Sequence, residues 1–106
     1  MNFMCNTAAP LKLYVLVRRD LPMSQQVVQS GHAVAEFLLY GPKTKWNNGI
    51  MVILGVSGER QLNTWSHRLT ECGVKHTMFY EPDMDGQATA LAAVDTGEVF
   101  YRLKLL

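Results

Sequence analysis

Cysteine is scarce in this chain. Its two residues of that type, Cys5 and Cys72, are too few and too far apart for a disulfide framework or a zinc site. The expected setting is therefore a reducing one, the cytoplasm. Charge is also thin: charged residues make up 18%, and ten Lys/Arg against nine Asp/Glu leave a formal net charge of +1. That balance excludes a generic electrostatic nucleic-acid binder and an acidic solubility tail, so any RNA contact has to be a local patch. Long hydrophobic runs are missing. The purely apolar stretches, such as Ile50–Leu54, have the length of a strand rather than of a membrane-spanning helix. Residues 1–10 lack the basic start and apolar stretch of a signal peptide and are expected to form a flexible leader. The eight glycines are scattered, which excludes a phosphate-cradling loop. Ser24, Ser30, Ser57 and Ser66 have no nucleophile motif around them. Repeats and low-complexity segments are absent.

What is present is enough apolar material for one core. The chain has 106 residues, 48% apolar and 9% aromatic, which fits a single domain, expected over residues 11–106. Leu11–Val17 (LKLYVLV) reads as a strand buried on both faces. Pro22–Tyr40 follows as a helix, punctuated by Asp20, Pro22 and Ser24 before it and Gly41-Pro42 after it. Gly41–Asn48 is a loop carrying Lys43, Lys45 and Trp46, and Gly49–Val56 (GIMVILGV) is a second buried strand. Ser57 is positioned to cap a helix over Gly58–Cys72, with Gly73 just past its end and Leu62, Trp65, Leu69 and Cys72 as its apolar stripe. Lys75–Tyr80 and Ala88–Val94 are the third and fourth strands, and Phe100–Leu106 is either a short edge strand or a packed tail. Strand and helix alternate, which implies an α/β layer with at least one parallel pairing. Arg18-Arg19, the start of the first helix and the loop after the third strand are expected at one edge of the sheet, where ligands bind in such folds.

The first helix carries a narrow polar band. At 100° per residue, Gln25, Gln29, His32 and Glu36 fall within about 60° of one another. Around them stand Val27, Val28, Ala33, Val34, Phe37, Leu38 and Leu39, so the helix is expected to be widely buried, with His32 aimed at a cleft. The plainer alternative makes the band a solvent face with His32 and Glu36 as an (i, i+4) pair. Glu81-Pro82-Asp83-Met84-Asp85-Gly86 is, on composition, a polar turn that happens to be acidic. Trp46 either stacks on a nucleic-acid base or fills the gap beneath its own loop.

These residues together resemble a known family. Tyr14–Phe37 (YVLVRRDLPMSQQVVQSGHAVAEF) is similar to the opening strand and helix of the type II peptidyl-tRNA hydrolases, which read as a Val/Leu strand, Arg-x-Asp-Leu, a Met, a lysine-rich turn and Gln-x-x-His-Ala. The GIMVILGV strand, the amphipathic helix, a short strand ending in an acidic residue and the TALAAV strand follow in the family's order, so the resemblance covers residues 11–95. It implies a single three-layer α/β domain, with a four-stranded mixed sheet flanked by helices, often dimeric. It also implies hydrolysis, without cofactor or metal, of the ester joining a peptide to the terminal ribose of tRNA. Carried over by position, the family's glutamine is Gln29, its histidine His32 and its strand threonine Thr89; its acid is Glu81, or else Asp83 or Asp85. The family's functional lysine falls at Gln25, and the lysine-rich turn is missing. Arg18 or Arg19 is the expected substitute for that charge, and Arg18, Arg19, Lys43, Lys45 and Trp46 are the expected tRNA contacts. Two other outcomes stand beside hydrolysis of peptidyl-tRNA. One is a non-catalytic module that binds RNA or a protein through the same cleft; the other is an esterase for a small metabolite.

Overall fold

Residues 9–106 are described by the structure, a computed structural model; most of the expected leader lies outside the described residues. Four strands and two helices alternate as expected: β1 (Lys12–Arg18), α1 (Met23–Tyr40), β2 (Met51–Val56), α2 (Glu59–Glu71), β3 (His76–Glu81) and β4 (Gln87–Asp95). The sheet order is β2-β1-β4-β3. β1 and β2 are parallel, while β4 runs antiparallel to both β1 and β3, so the sheet is mixed.

One helix covers each face. Leu62, Trp65 and Leu69 of α2 pack on Tyr14, Leu16, Leu54, Val56, Leu91 and Ala93. On the other face Ala33 and Phe37 of α1 pack on Leu13, Val15, Val17, Ala90 and Ala92. This is the expected three-layer arrangement. β1, with side chains buried on both faces, is the centre of it, and the small residues of β4 let both helices approach the sheet closely.

Several local expectations are corrected. Ser57 does not cap α2: Gly58 occupies the cap position and no side chain bonds the first turn. Cys72 is exposed and lies beyond the buried stripe, whereas Gly73 ends the helix with φ +74°, the left-handed backbone that glycine adopts without strain. β2 is an edge strand rather than a fully buried one, and its Met51 end is exposed. Its outer side is partly covered by the C-terminal tail, through a Leu54–Leu105 bridge and hydrogen bonds from Gly55 N–H to the Lys104 carbonyl and from Leu106 N–H to the Ile53 carbonyl. The tail thus packs along the edge through one isolated bridge rather than as a strand, and Phe100, the last residue of a short 3-10 turn (Glu98–Phe100), is buried at its start.

The wide burial expected for α1 is also overturned. Its buried residues are Gln26, Gln29, Ser30, Ala33 and Phe37, a single stripe. Met23, Val27, Val28, Leu38, Leu39 and Tyr40 are exposed. A lone helix on a sheet face presents only that stripe inward, however apolar its other sides are.

Candidate functional site

The site forms where the start of α1 meets the end of β3 and the turn after it. On α1, Gln29 sits at the boundary between the polar band and the buried stripe, about 40° from Gln25. Its position lets one amide reach in two directions. The Gln29 Nε2 donates to Glu81 Oε1 at 2.8 Å and to Gln25 Oε1 at 3.2 Å. Its Oε1 accepts from Thr89 Oγ1 at 2.6 Å. Gln29 is 1% exposed and Thr89 is fully buried, so the amide orientation is fixed in a dry environment.

Glu81 is the last residue of β3 rather than part of a solvated turn, and it is buried. After it, Pro82–Met84 form a short 3-10 turn, Asp85 takes a left-handed backbone (φ 55°), and Gly86 (φ +73°) brings the chain back into β4. The turn returns the Asp83 N–H to Glu81 Oε2 at 3.2 Å. The Gln29 amide first, then this backbone donor and the nearby His32 ring, hold the Glu81 carboxyl below its ordinary range, against the opposing effect of burial. Of the three candidate acids, Glu81 is the one in contact with Gln29. Asp83 lines the cleft, and Asp85 is exposed in the turn.

His32 stacks on Phe79 with ring centroids 4.7 Å apart and an interplanar angle of 14°. Its Nε2 is 3.9 Å from Glu81 Oε1, so Glu81 and not Glu36 is its acidic neighbour within ion-pair range among the described residues. That separation is too long for a direct hydrogen bond and short enough for one water to touch both groups. The cleft in front of them has a volume of about 380 Å³ and is lined by Leu21, Pro22, Gln25, Val28, His32, Glu81, Asp83 and Met84. Gln25, in that lining, is exposed. The lining holds two carboxylates and no lysine or arginine.

How Thr89 reaches Gln29 depends on a β-bulge. The β3–β4 register pairs Phe79 with Ala90 and Tyr80 with Ala88, which skips Thr89. Strict alternation from Leu91 and Ala93, which face α2, would turn Thr89 to the α2 side as well. The extra residue changes the parity, and Thr89 joins Ala90 on the α1 side. The run ATALAAV gives no periodic signal for this, because its alanines fit either face. Phe79, the platform under His32, was likewise hidden in an ordinary strand pattern.

The expected basic residues do not gather here. Arg18 is 7% exposed and fully engaged: its Nε and one terminal nitrogen bind the two Asp20 oxygens at 2.9 Å each. Its other terminal nitrogen donates to Gln87 Oε1 at 2.9 Å and to the Ala88 carbonyl at 3.1 Å. Arg19 turns the other way and donates to the Leu105 carbonyl at 2.6 Å. Neither guanidinium lines the cleft, so neither takes the place of a cleft lysine. Lys43 and Lys45 are exposed beyond the far end of α1, and Trp46 packs beneath its loop with its indole N–H on the Ile50 carbonyl at 2.9 Å. Trp46 therefore fills a gap rather than presenting a stacking face. Gln26, outside the polar band of α1, is buried and closes the β1–α1 turn by donating to the Leu21 carbonyl at 2.7 Å and the Arg19 carbonyl at 3.2 Å.

The described residues contain no group of three or more His, Cys, Asp or Glu placed to hold a metal ion, and no helix long and apolar enough to cross a membrane. Comparison with known proteins decides the family. The family model described as peptidyl-tRNA hydrolase PTH2 matches residues 11–96, from the start of β1 to just past β4. The chain belongs to the PTH2 family. No curated protein matches it in sequence. A solved structure of a protein of unknown function, Atu0240 from Agrobacterium tumefaciens strain C58, superimposes with a TM-score of 0.68 at 11% identity, covering 91% of this chain and 97% of that one. At that identity the likeness concerns the fold. The PTH2 match covers every residue of the Gln29–Glu81–Thr89 cluster, and it makes this a peptidyl-tRNA hydrolase-like domain.

Proposed function

We propose that this PTH2 domain hydrolyses the ester between a peptide, or an acylated amino acid, and the terminal ribose of tRNA, acting in translation in the cytoplasm. One observation carries the reading: the buried Thr89–Gln29–Glu81 chain ends at a cleft where His32 and Glu81 stand one water apart. In this reading Glu81 and His32 hold the attacking water, and His32 Nε2 receives its proton as the oxygen adds to the ester carbonyl. The proton then passes to the departing ribose oxygen, leaving a free carboxylate and tRNA. Positioned acid–base groups of this kind contribute about 10²–10⁴-fold. The amide N–H groups of Gln25, which lines the cleft, are the proposed donors to the carbonyl oxygen as it becomes negative. A neutral donor in that role supports a slower enzyme than a cation, by roughly a hundredfold.

The tRNA itself is proposed to lie across the α1 start, with Lys43 and Lys45 reached only by its more distant phosphates. A non-catalytic binding module is the second reading, favoured by the absence of lysine and arginine from the cleft lining. A small-ester hydrolase is the third. The exposed apolar side of α1 supports a homodimer. Val27, Val34 and Leu38 together with Met51, Ile53 and Leu106 line a groove of about 530 Å³ that a second copy would cover.

The discriminating experiment offers purified protein an N-acetyl-aminoacyl-tRNA and, separately, a small acyl ester, and follows release of deacylated tRNA and of free acid. Turnover of the tRNA ester alone supports the proposal. Turnover of the small ester alone moves the reading to a metabolite esterase, and salt-dependent tRNA binding without any turnover moves it to a binding module.

A further inference from the structure

The structure assigns to Glu59, at the start of α2 on the opposite face of the sheet, the role of a positioning residue that holds Thr89 in place through the backbone of Ala88.

β4 extends beyond its backbone pairing with β1. The β1–β4 register ends at Val17–Ala90, so the Ala88 peptide has no strand partner on that side. Ala88 is nevertheless 1% exposed, and buried backbone groups need partners. Two charged side chains supply them. Glu59 Oε2 accepts from the Ala88 N–H at 2.7 Å, and Arg18 donates to the Ala88 carbonyl at 3.1 Å. Arg18 is itself anchored by Asp20 and by Gln87, the residue before Ala88. Side chains from β1 and α2 thus hold both backbone polar groups of one residue, in the two successive peptides that flank its Cα.

Ala88 immediately precedes the bulge. Thr89 is the residue the β3–β4 register skips, and its backbone lacks the ladder contacts that fix its neighbours. With Ala88 clamped, the extra residue is held with its hydroxyl on the α1 side, against Gln29 Oε1. With Ala88 released, the bulge is free to migrate along β4, since alanines at 88, 90, 92 and 93 offer little steric resistance to a shift. Thr89 would then leave Gln29, and the amide that orients Glu81 would lose its anchor. Glu59 is not among the described residues that line the cleft, so its action there runs through this relay.

The positioning role deepens the proposed hydrolase function, and its test separates the two. Glu59→Ser keeps a polar side chain suited to a helix start but is too short to reach the Ala88 N–H; Glu59→Gln keeps an acceptor at the same length. The Glu81 carboxyl is followed by ¹³C NMR across an acid titration, and kcat and KM are measured on N-acetyl-aminoacyl-tRNA. In Glu59→Ser the Glu81 midpoint moves up toward the ordinary glutamate value, and kcat falls about tenfold with KM within about twofold. Glu59→Gln restores both. An unmoved Glu81 midpoint in folded Glu59→Ser overturns the clamp. A raised midpoint restored by Glu59→Gln sustains it even if the wild type turns over no tRNA ester, an outcome that removes the hydrolase reading alone. If Glu59→Ser does not fold, Gln87→Ala, which frees one anchor of Arg18, must raise the same midpoint in a smaller step; no change there overturns the proposal.

Discussion

Gln29 is an amide with both ends occupied, and its neighbours depend on that. Thr89→Val keeps the shape of the side chain but leaves Gln29 Oε1 buried without its donor, which costs about 1–3 kcal/mol. Thermal or denaturant unfolding checks this, and Thr89→Ser should recover most of the loss by restoring the hydroxyl. The same contacts give Glu81 a pH signature. Its folded carboxyl is held down chiefly by Gln29 and the Asp83 N–H, so the stability it contributes is fully present above the ordinary glutamate value. That contribution disappears as pH falls through the lowered folded value. Glu81→Gln, which removes the titrating group, therefore gives a flatter profile of unfolding free energy against pH over that acidic window than the wild type does.

At the scale of elements, α1 joins two surfaces of different character. Its cleft side carries Gln25, Gln29 and His32, while Val27, Leu38 and Leu39 are exposed elsewhere on it. Leu38→Glu places a charge in the apolar groove and is expected to shift the proposed dimer to monomer in sedimentation or light-scattering measurements, leaving the monomer's thermal midpoint nearly unchanged. Leu69→Ala, at the fully buried centre of the α2 stripe, is expected to destabilise by about 2–5 kcal/mol in denaturant unfolding. The stripe of α2 was readable because Leu62, Trp65 and Leu69 are apolar and their neighbours are not. The inward stripe of α1 was not, since Gln26, Gln29 and Ser30 are polar and the exposed side is apolar. Residue type there follows what the polar groups bond to: Gln26 closes a turn, Gln29 joins the site, and Ser30 returns its hydroxyl to the Gln26 carbonyl at 2.7 Å. The order of strands and helices came from alternating runs and turn residues, which are local signals. The β4 bulge and the α2-borne Glu59 contact are non-local, and no spacing along the chain encodes them.

At the scale of the whole molecule, near-neutrality governs how an RNA substrate is met. The formal charge is +1, Arg18 is engaged with Asp20, and the described residues lining the cleft include carboxylates but no lysine or arginine. Binding of deacylated tRNA should therefore weaken with salt along a shallow line, with log Kd rising by about 1 to 2 per tenfold increase in salt, as few phosphates are contacted. Fluorescence anisotropy between low and physiological salt measures it. Gln25→Lys adds a cation to the cleft lining and is expected to tighten binding and steepen the slope by about one. The measurement closest to the central claim is single-turnover release of deacylated tRNA from N-acetyl-aminoacyl-tRNA by the wild type and by Glu81→Gln at matched folding. The expected result is release by the wild type and a loss of about a hundredfold or more in the variant. Equal rates in both proteins would contradict the assignment of the reaction to the Thr89–Gln29–Glu81 cluster.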